Sequence, residues 1–348
     1  MVEPKTDSSK LARETPLKQA DVVRLAYQLL LGREAANDGA VAALSNIPDI
    51  FDLRNHFLKS KEYEIQQRSL RLAELLYVDE PIIRSDTEKF DVLLAADSKL
   101  ESMIRDIISA DARAAQSAEH LAYTTLHAAR FFDQVRAVLA VRQKMLGTNR
   151  SFRVLDVGTS PVTSMYGKVA HDIDVFTANL PASGPPEVIA ERYGAKRHYY
   201  IDLETELLSD RYPNLVSEPF DMIVFCEVVE HIRASPEELF ADLLKIVRTG
   251  GILVISTPNA MSARHLVQLA SGKKPDLIYK KHDPSGRRRQ THLHVREYTL
   301  AEIRNALLAC GATIILHATK NYYSDANKSI LASRFHSAHD GQIVIAKK

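Results

Sequence analysis

The sequence predicts an α/β protein with a doubly wound, Rossmann-like sheet of seven strands, mostly parallel with the last strand antiparallel, behind a smaller all-helical domain. Three observations carry this. Short apolar runs alternate with helical patterns from Arg153 onward, as a parallel sheet with crossover helices requires. Residues 18 to about 80 carry helical periodicity only. Two later helices are announced by start signals, "SPEE" at 235–238 and "TLAE" at 299–302.

Length and composition set the frame. The 348 residues suffice for one large domain and a smaller one. Hydrophobic residues at 45% and charged residues at 26% describe an ordinary soluble globular chain. A net charge of +1 argues against bulk attraction to nucleic acid or membrane, although a local patch can still act. Cys226 and Cys310 form no disulfide framework and no zinc spacing. No window approaches 18 uninterrupted apolar residues, and the opening segment lacks a signal-peptide core. A reducing cytoplasm is the expected location.

Residues 1–17 are polar and aperiodic and read as a disordered tail. From Asp21, the residues Val22, Leu25, Ala26, Leu29 and Leu30 recur at helical spacing, with Gly32 as a stop. "GAVAALSNI" and "DIFDLRNHFLKSKEYEIQQ" supply further helices, so residues 18–80 form a helical module. Residues 81–118, with "DSKLESMIRDIISADARAAQ", read as a helical connector. An amphipathic helix follows, with Leu121, Thr125, Ala128, Phe132, Val135 and Leu139 on one face.

Residues 119–348 then alternate. Strands are expected at 153–157, 174–179, 198–201, 222–226, 252–256, 312–319 and 342–346. Ser235 caps a helix with Pro236 in its first position and Glu238 closing a capping box; "ELFADLLKIVR" carries it to Gly250–Gly251. Thr299 and Glu302 repeat the device, and Gly311 ends that helix. The last two strands lack room for a crossover helix and are expected to pair as a long hairpin.

In open α/β sheets, ligands lie outside the carboxyl ends of the strands, near the point where strand order reverses. Those positions read Asp156-Val157-Gly158, Asn179, Asp202, Cys226-Glu227 and Thr257-Pro258-Asn259. The set is rich in oxygen, with small residues where a ligand approaches the backbone. Asp156 and Asp202 taken singly also suit plain strand-end turns. A G-x-G-x-x-G fingerprint is missing after the first strand, which argues against a nicotinamide dehydrogenase.

"VLDVGTS", "YYIDLE", "FDMIVFCEVVEHI", "LLKIVRTGGILVISTPN" and "HVREYTLAEIRNALLACGA", in this order, resemble the class I S-adenosylmethionine-dependent methyltransferases over roughly residues 119–348. The resemblance implies S-adenosyl-L-methionine as cofactor. It assigns the methionine end to Asp156 and Gly158, the ribose hydroxyls to Asn179 and the adenine amine to Asp202, with Cys226 also at the cofactor. Two departures stand out. Ser160 and Val162 replace loop glycines, which is expected to stiffen the loop and narrow the space over the cofactor. Asn179 stands where an acid is usual and accepts hydrogen bonds without charge assistance.

"EVVEH" ends the fourth strand. Spacings of three and four put Glu227, Glu230 and His231 on one face if a helical turn starts there. Two chemistries fit. His231, with Glu227 beside it, can serve as general base on an acceptor hydroxyl. Alternatively, Glu227, Glu230 and His231 hold Mg or Mn, which lowers the pKa of that hydroxyl. "THLHVREYT" adds His292 and His294. E-x-x-E-H followed by a histidine before E-[WY]-T resembles the small-RNA 2′-O-methyltransferases, which implies His294 as a fourth metal ligand. Ubiquinone-pathway O-methyltransferases carry a similar E-x-x-E-H, and a purely structural role for the second acid and histidine stays open.

Lys273, Lys274, Lys280, Lys281, Arg287, Arg288 and Arg289 lie between the fifth strand and His292. They suit either a solvated loop or a lid over an anionic acceptor. The LLGR of residues 30–33 and the SKEY of residues 60–63 resemble a bacterial helical module often joined to enzymes of surface-polysaccharide assembly. That implies a glycan acceptor, a sugar hydroxyl as the methylated group, and contacts of the module with other glycan-assembly proteins. An RNA 2′-hydroxyl acceptor and a non-catalytic scaffold on the same fold are the alternatives; the near-neutral charge offers no strong nucleic-acid signal.

Overall fold

A computed structural model describes residues 18–31, 34–47, 49–76, 98–115, 118–145, 151–181, 184–273, 294–322 and 339–348. The chain divides into two compact units, residues 1–68 and 69–348. Gly32, His292 and the basic residues from Lys274 to Arg289 lie outside the described residues.

The first unit holds α1 (Gln19–Leu31), α2 (Asp38–Leu44), α3 (Ile50–Leu58) and the start of α4 (Lys61–Leu76). Its core is Val23, Leu31, Val41, Leu53 and Phe57, with Tyr27 edge-on to Phe57 at 4.8 Å. Asn37 and Asp49 cap α2 and α3 through their side-chain oxygens. The expected apolar stripe of α1 is displaced: Leu25 and Leu29 are exposed, and the buried face runs through Val23 and Leu31. The run expected as one helix over 49–67 breaks at Lys59–Ser60, where Ser60 Oγ accepts from Tyr63 N and starts α4.

The second unit opens with α5 (Ser98–Ala115), α6 (Ala118–Leu126) and α7 (Ala128–Lys144). The segment read as a connector contributes Leu100, Ile104 and Ile108 to the core. The single amphipathic helix expected through Leu121–Leu139 is interrupted at His127, and Leu121 is exposed. Periodicity misled here because α7 also buries Arg130, Asp133, Gln134 and Arg136.

The strands are β1 (Phe152–Val157), β2 (Ile173–Asn179), β3 (Arg197–Tyr200), β4 (Phe220–Cys226), β5 (Val247–Pro258), β6 (Thr313–Lys320) and β7 (Gly341–Lys347). Their order is β3-β2-β1-β4-β5-β7-β6, parallel from β3 to β5, with β7 antiparallel to both neighbours. Order reverses between β1 and β4. Side chains alternate between faces. Val154, Val224 and Val254 join Val135, Val138 and Val141 of α7 in one core. On the other face, Leu155, Ile223, Phe225, Leu253 and Ile255 meet Leu239, Phe240 and Leu243, with Ile303 and Leu307 in the same core. Burial on both faces is why these strands read as unbroken apolar runs.

The longer helices that follow the first strand are α8 (Pro186–Tyr193), α9 (Pro236–Ile246), α10 (Ala263–Ala270) and α11 (Leu300–Ala309). The full capping box forms at Thr299 and Glu302. At α9 it is half-made: Ser235 Oγ accepts from Glu238 N but donates to Glu237 Oε2, the acid nearer its hydroxyl. Helix α9 also ends at Ile246, not at the glycines. Gly250 (φ +77°) and Gly251 lie inside β5, where a Cβ on Gly251 would meet the Asp221 carbonyl oxygen at 2.9 Å.

Candidate functional site

The carboxyl edge at the β1/β4 reversal is built from the β1 loop outward. Gly158 adopts φ +95°, and a Cβ there would lie 2.4 Å from Val228 Cγ2, so both conformation and space require glycine. Thr163 Oγ1 accepts from Ser160 N at 2.8 Å and donates to Asp156 Oδ2 at 2.6 Å. Gln134 of α7 donates to Tyr166 Oη at 2.6 Å and reaches Ser160 Oγ at 3.3 Å. Side-chain bracing thus replaces glycine flexibility in this loop. Val162 is fully buried in the core, so it takes no space over the edge, contrary to expectation. Burial raises the Asp156 carboxyl to about 6, against the opposing hydrogen bonds from Thr163 and Tyr166.

Asn179 closes β2. Its Nδ2 donates to Thr159 Oγ1 at 2.9 Å and its Oδ1 accepts from Leu180 N at 2.8 Å, tying β2 to the β1 loop. Oδ1 keeps a second lone pair. Asp202 lies two residues past β3, where Oδ1 accepts from Glu204 N at 3.1 Å in a turn that leaves the residue half-buried. At the end of β4, burial pushes the Cys226 thiol up to about 12, which keeps it neutral.

The EVVEH segment departs from the expected turn. Glu227 has φ +55°, and a 3₁₀ turn starts only at Val229. The face joining Glu227 to Glu230 and His231 therefore does not form. Glu227 Oε2 pairs with Arg130 at 2.9 Å, Oε1 accepts from Ser256 Oγ at 2.8 Å, and its N–H bonds the Ser256 carbonyl. Glu230, His231 and His294 do converge, each offering a ligand atom within 4.8 Å of the others. Glu230 is fully buried; Oε2 accepts from Thr257 Oγ1 at 2.9 Å, whereas Oε1 is buried without a hydrogen-bond partner. His231 Nε2 lies 3.9 Å from Oε1, and the His231 and His294 rings meet edge-on at 5.0 Å. Val295 N and Arg296 N both donate to the Glu230 carbonyl, which brings His294 across about sixty residues of chain.

A methyltransferase-domain family model matches residues 126–317. The chain belongs to the methyltransferase family. No curated protein matches it. Among solved structures, it is similar to an S-adenosylmethionine-dependent methyltransferase from Mesorhizobium loti, at 16% identity over 60% of this chain and 96% of that one, with TM-score 0.38. It is also similar to the 1,6-didemethyltoxoflavin-N1-methyltransferase of Burkholderia thailandensis, at 16% identity over 78% and 93% of the two chains, with TM-score 0.40.

The strand ends fit S-adenosylmethionine: a buried acid fixed by a hydroxyl, a left-handed glycine turn, half-buried Asn179 at the end of β2 and half-buried Asp202 past β3. Several methyltransferase residues were missed in the sequence. Arg130, Gln134, Thr163 and Tyr166 brace the site from within apparent core patterns, and His127, lowered to about 3 chiefly by burial, stays neutral near Arg130 and His294. Thr163 alone carried a signal, as a hydroxyl seven residues after Asp156. No helix among the described residues is long and apolar enough to cross a membrane.

Proposed function

We propose that this methyltransferase is an O-methyltransferase acting on a sugar hydroxyl in bacterial surface-glycan assembly. The observation that carries the O-transfer is the Glu230–His231–His294 cluster one turn beyond Val228, the residue in contact with Gly158. The sugar acceptor is supported by the resemblance of residues 18–80 to the polysaccharide-linked helical module. Residues 119–348 are taken as the catalytic domain. Two free cysteines suit a reducing cytoplasm.

S-adenosylmethionine supplies a sulfonium methyl for in-line transfer. Asp156 and the Gly158 turn would receive its methionine end, with Cys226 alongside. Asn179 Oδ1 would accept from the ribose hydroxyls and Asp202 from the adenine amine. Glu227, held by Arg130 and Ser256, fixes the β4 end and stands apart from proton transfer. His231 and His294 are both half-buried, and His231 would accept the proton of the acceptor hydroxyl.

The orphaned Oε1 of Glu230, with two imidazoles beside it, fits a divalent cation, and its oxygen and nitrogen donors suit Mg or Mn. Such an ion supplies Lewis acidity that lowers the pKa of a bound hydroxyl. Methyl-labelled cofactor incubated with nucleotide sugars, glycan fragments and short RNA, with and without chelator, tests the reading. A methyl ether on a sugar fraction, restored by Mn after chelation, is expected. Label on nitrogen or carbon overturns O-transfer. Full turnover in chelator together with an unaffected His294→Ala removes the ion and leaves His231 as a lone base. Label on RNA alone replaces the glycan acceptor.

A further inference from the structure

The cluster leans on a carboxylate that the reading above does not use. Glu297 is half-buried, with its side chain 9% exposed. Its Oε1 lies 3.1 Å from His294 Nδ1. Its Oε2 is buried without a hydrogen-bond partner, 3.5 Å from Nδ1 of His265, a buried residue of α10. His265 Nδ1 also lies 3.1 Å from the Ala260 carbonyl oxygen. A carbonyl oxygen and an ionised carboxylate only accept hydrogen bonds, so a proton on Nδ1 of His294 satisfies its contact with Glu297 and one on Nδ1 of His265 satisfies its contact with Ala260. A neutral imidazole protonated at Nδ1 has its lone pair at Nε2.

The backbone around Glu297 is pinned on both sides. Val295 N and Arg296 N donate to the Glu230 carbonyl at 2.7 and 3.2 Å. Tyr298 bridges Asn259 in parallel, and its carbonyl accepts from Ala260 N at 3.1 Å and from Gln342 Nε2 at 2.8 Å. The carboxylate is therefore delivered to one place, between a histidine of the cluster and a histidine behind it.

We propose that Glu297 is a positioning residue that fixes His294 as its Nδ1–H tautomer and leaves the Nε2 lone pair to the Glu230–His231 cluster. The proposal rests on reading that cluster as the acceptor-activating site. It adds to that reading a carboxylate–histidine relay of the kind that sets ligand orientation and basicity.

Nitrogen-15 NMR of the full, metal-free chain in mildly alkaline buffer, where imidazoles are neutral, decides the matter. The His294 signals are identified by their loss in His294→Ala. The expected result is a protonated Nδ1 and an unprotonated Nε2 in the parent protein. Glu297→Gln retains an oxygen acceptor and should keep that tautomer, whereas Glu297→Ala should give a mixture or the Nε2–H form. Mn²⁺ affinity read by electron paramagnetic resonance should fall roughly 10–100-fold in Glu297→Ala, with cofactor affinity unchanged. An Nε2–H tautomer in the parent protein overturns the proposal, even if Glu297→Ala fails to fold. So does an unchanged tautomer in a folded Glu297→Ala. If the parent protein binds no Mn²⁺ but the tautomer responds to Glu297→Ala, the positioning role stands and the ion alone is lost.

Discussion

Asp156 is a carboxylate whose work depends on pH. Its folded-state pKa, raised to about 6 by burial, means that the empty site favours the protonated acid. Its contribution to stability is therefore full in acid and lost as pH rises through about 6. The cofactor's ammonium group favours the ionised form, so affinity should move the opposite way. Calorimetry should find S-adenosylmethionine binding weakening as pH falls below about 6, with the slope flattened in Asp156→Asn. Gly158 offers a steric test. Gly158→Ala forces a Cβ against Val228 at a left-handed φ and should destabilise by about 1–3 kcal/mol while weakening cofactor binding. Adding Val228→Ala relieves the clash but not the dihedral, so melting temperature should recover only in part. Residue types at the strand ends were readable in advance because parallel sheets bind at that edge. The fate of Glu227 was not readable: nothing in E-x-x-E-H announces a left-handed φ, and the partner that captures its carboxylate, Arg130, is nearly a hundred residues earlier.

Helix α7 is held to the sheet by both apolar packing and a buried ion pair, Arg130–Glu227, whose side chains are 5% and 13% exposed. Removing one member strands a charge in the interior and typically costs about 3–5 kcal/mol. Denaturant unfolding of Arg130→Ala and Glu227→Ala should each show a loss of that order, with a double variant well short of the sum. Full additivity would mean that the pair contributes no coupling. Strands were legible as elements because burial on both faces gives uninterrupted apolar runs, as in "FDMIVFC". Helix boundaries were not. The pair Gly250–Gly251 looks like a helix stop, yet the Asp221 carbonyl crowding Gly251 makes it a feature of β5. The break at His127 was hidden because buried polar residues of α7 imitate an exposed face.

The whole molecule divides cleanly in the origin of its site. Every residue of the candidate site lies between His127 and Glu297, within the unit spanning 69–348, while residues 1–68 have their own core. A chain beginning at Ser69 should therefore bind S-adenosylmethionine within about twofold of the full chain, since that affinity depends on strand-end contacts. A tenfold loss on calorimetry would assign the helical module a part in cofactor capture. Sheet order carries a consequence for synthesis. Strand β7 sits between β5 and β6, so β6 cannot join the sheet until β7 has been made. A nascent chain that has just completed β6 must wait with the edge of β5 bare, the kind of edge that recruits strands from other chains. Ribosome pausing over the residues between them would lengthen that exposure, and a chaperone bound there would be guarding a gap one strand in from the edge of the finished sheet.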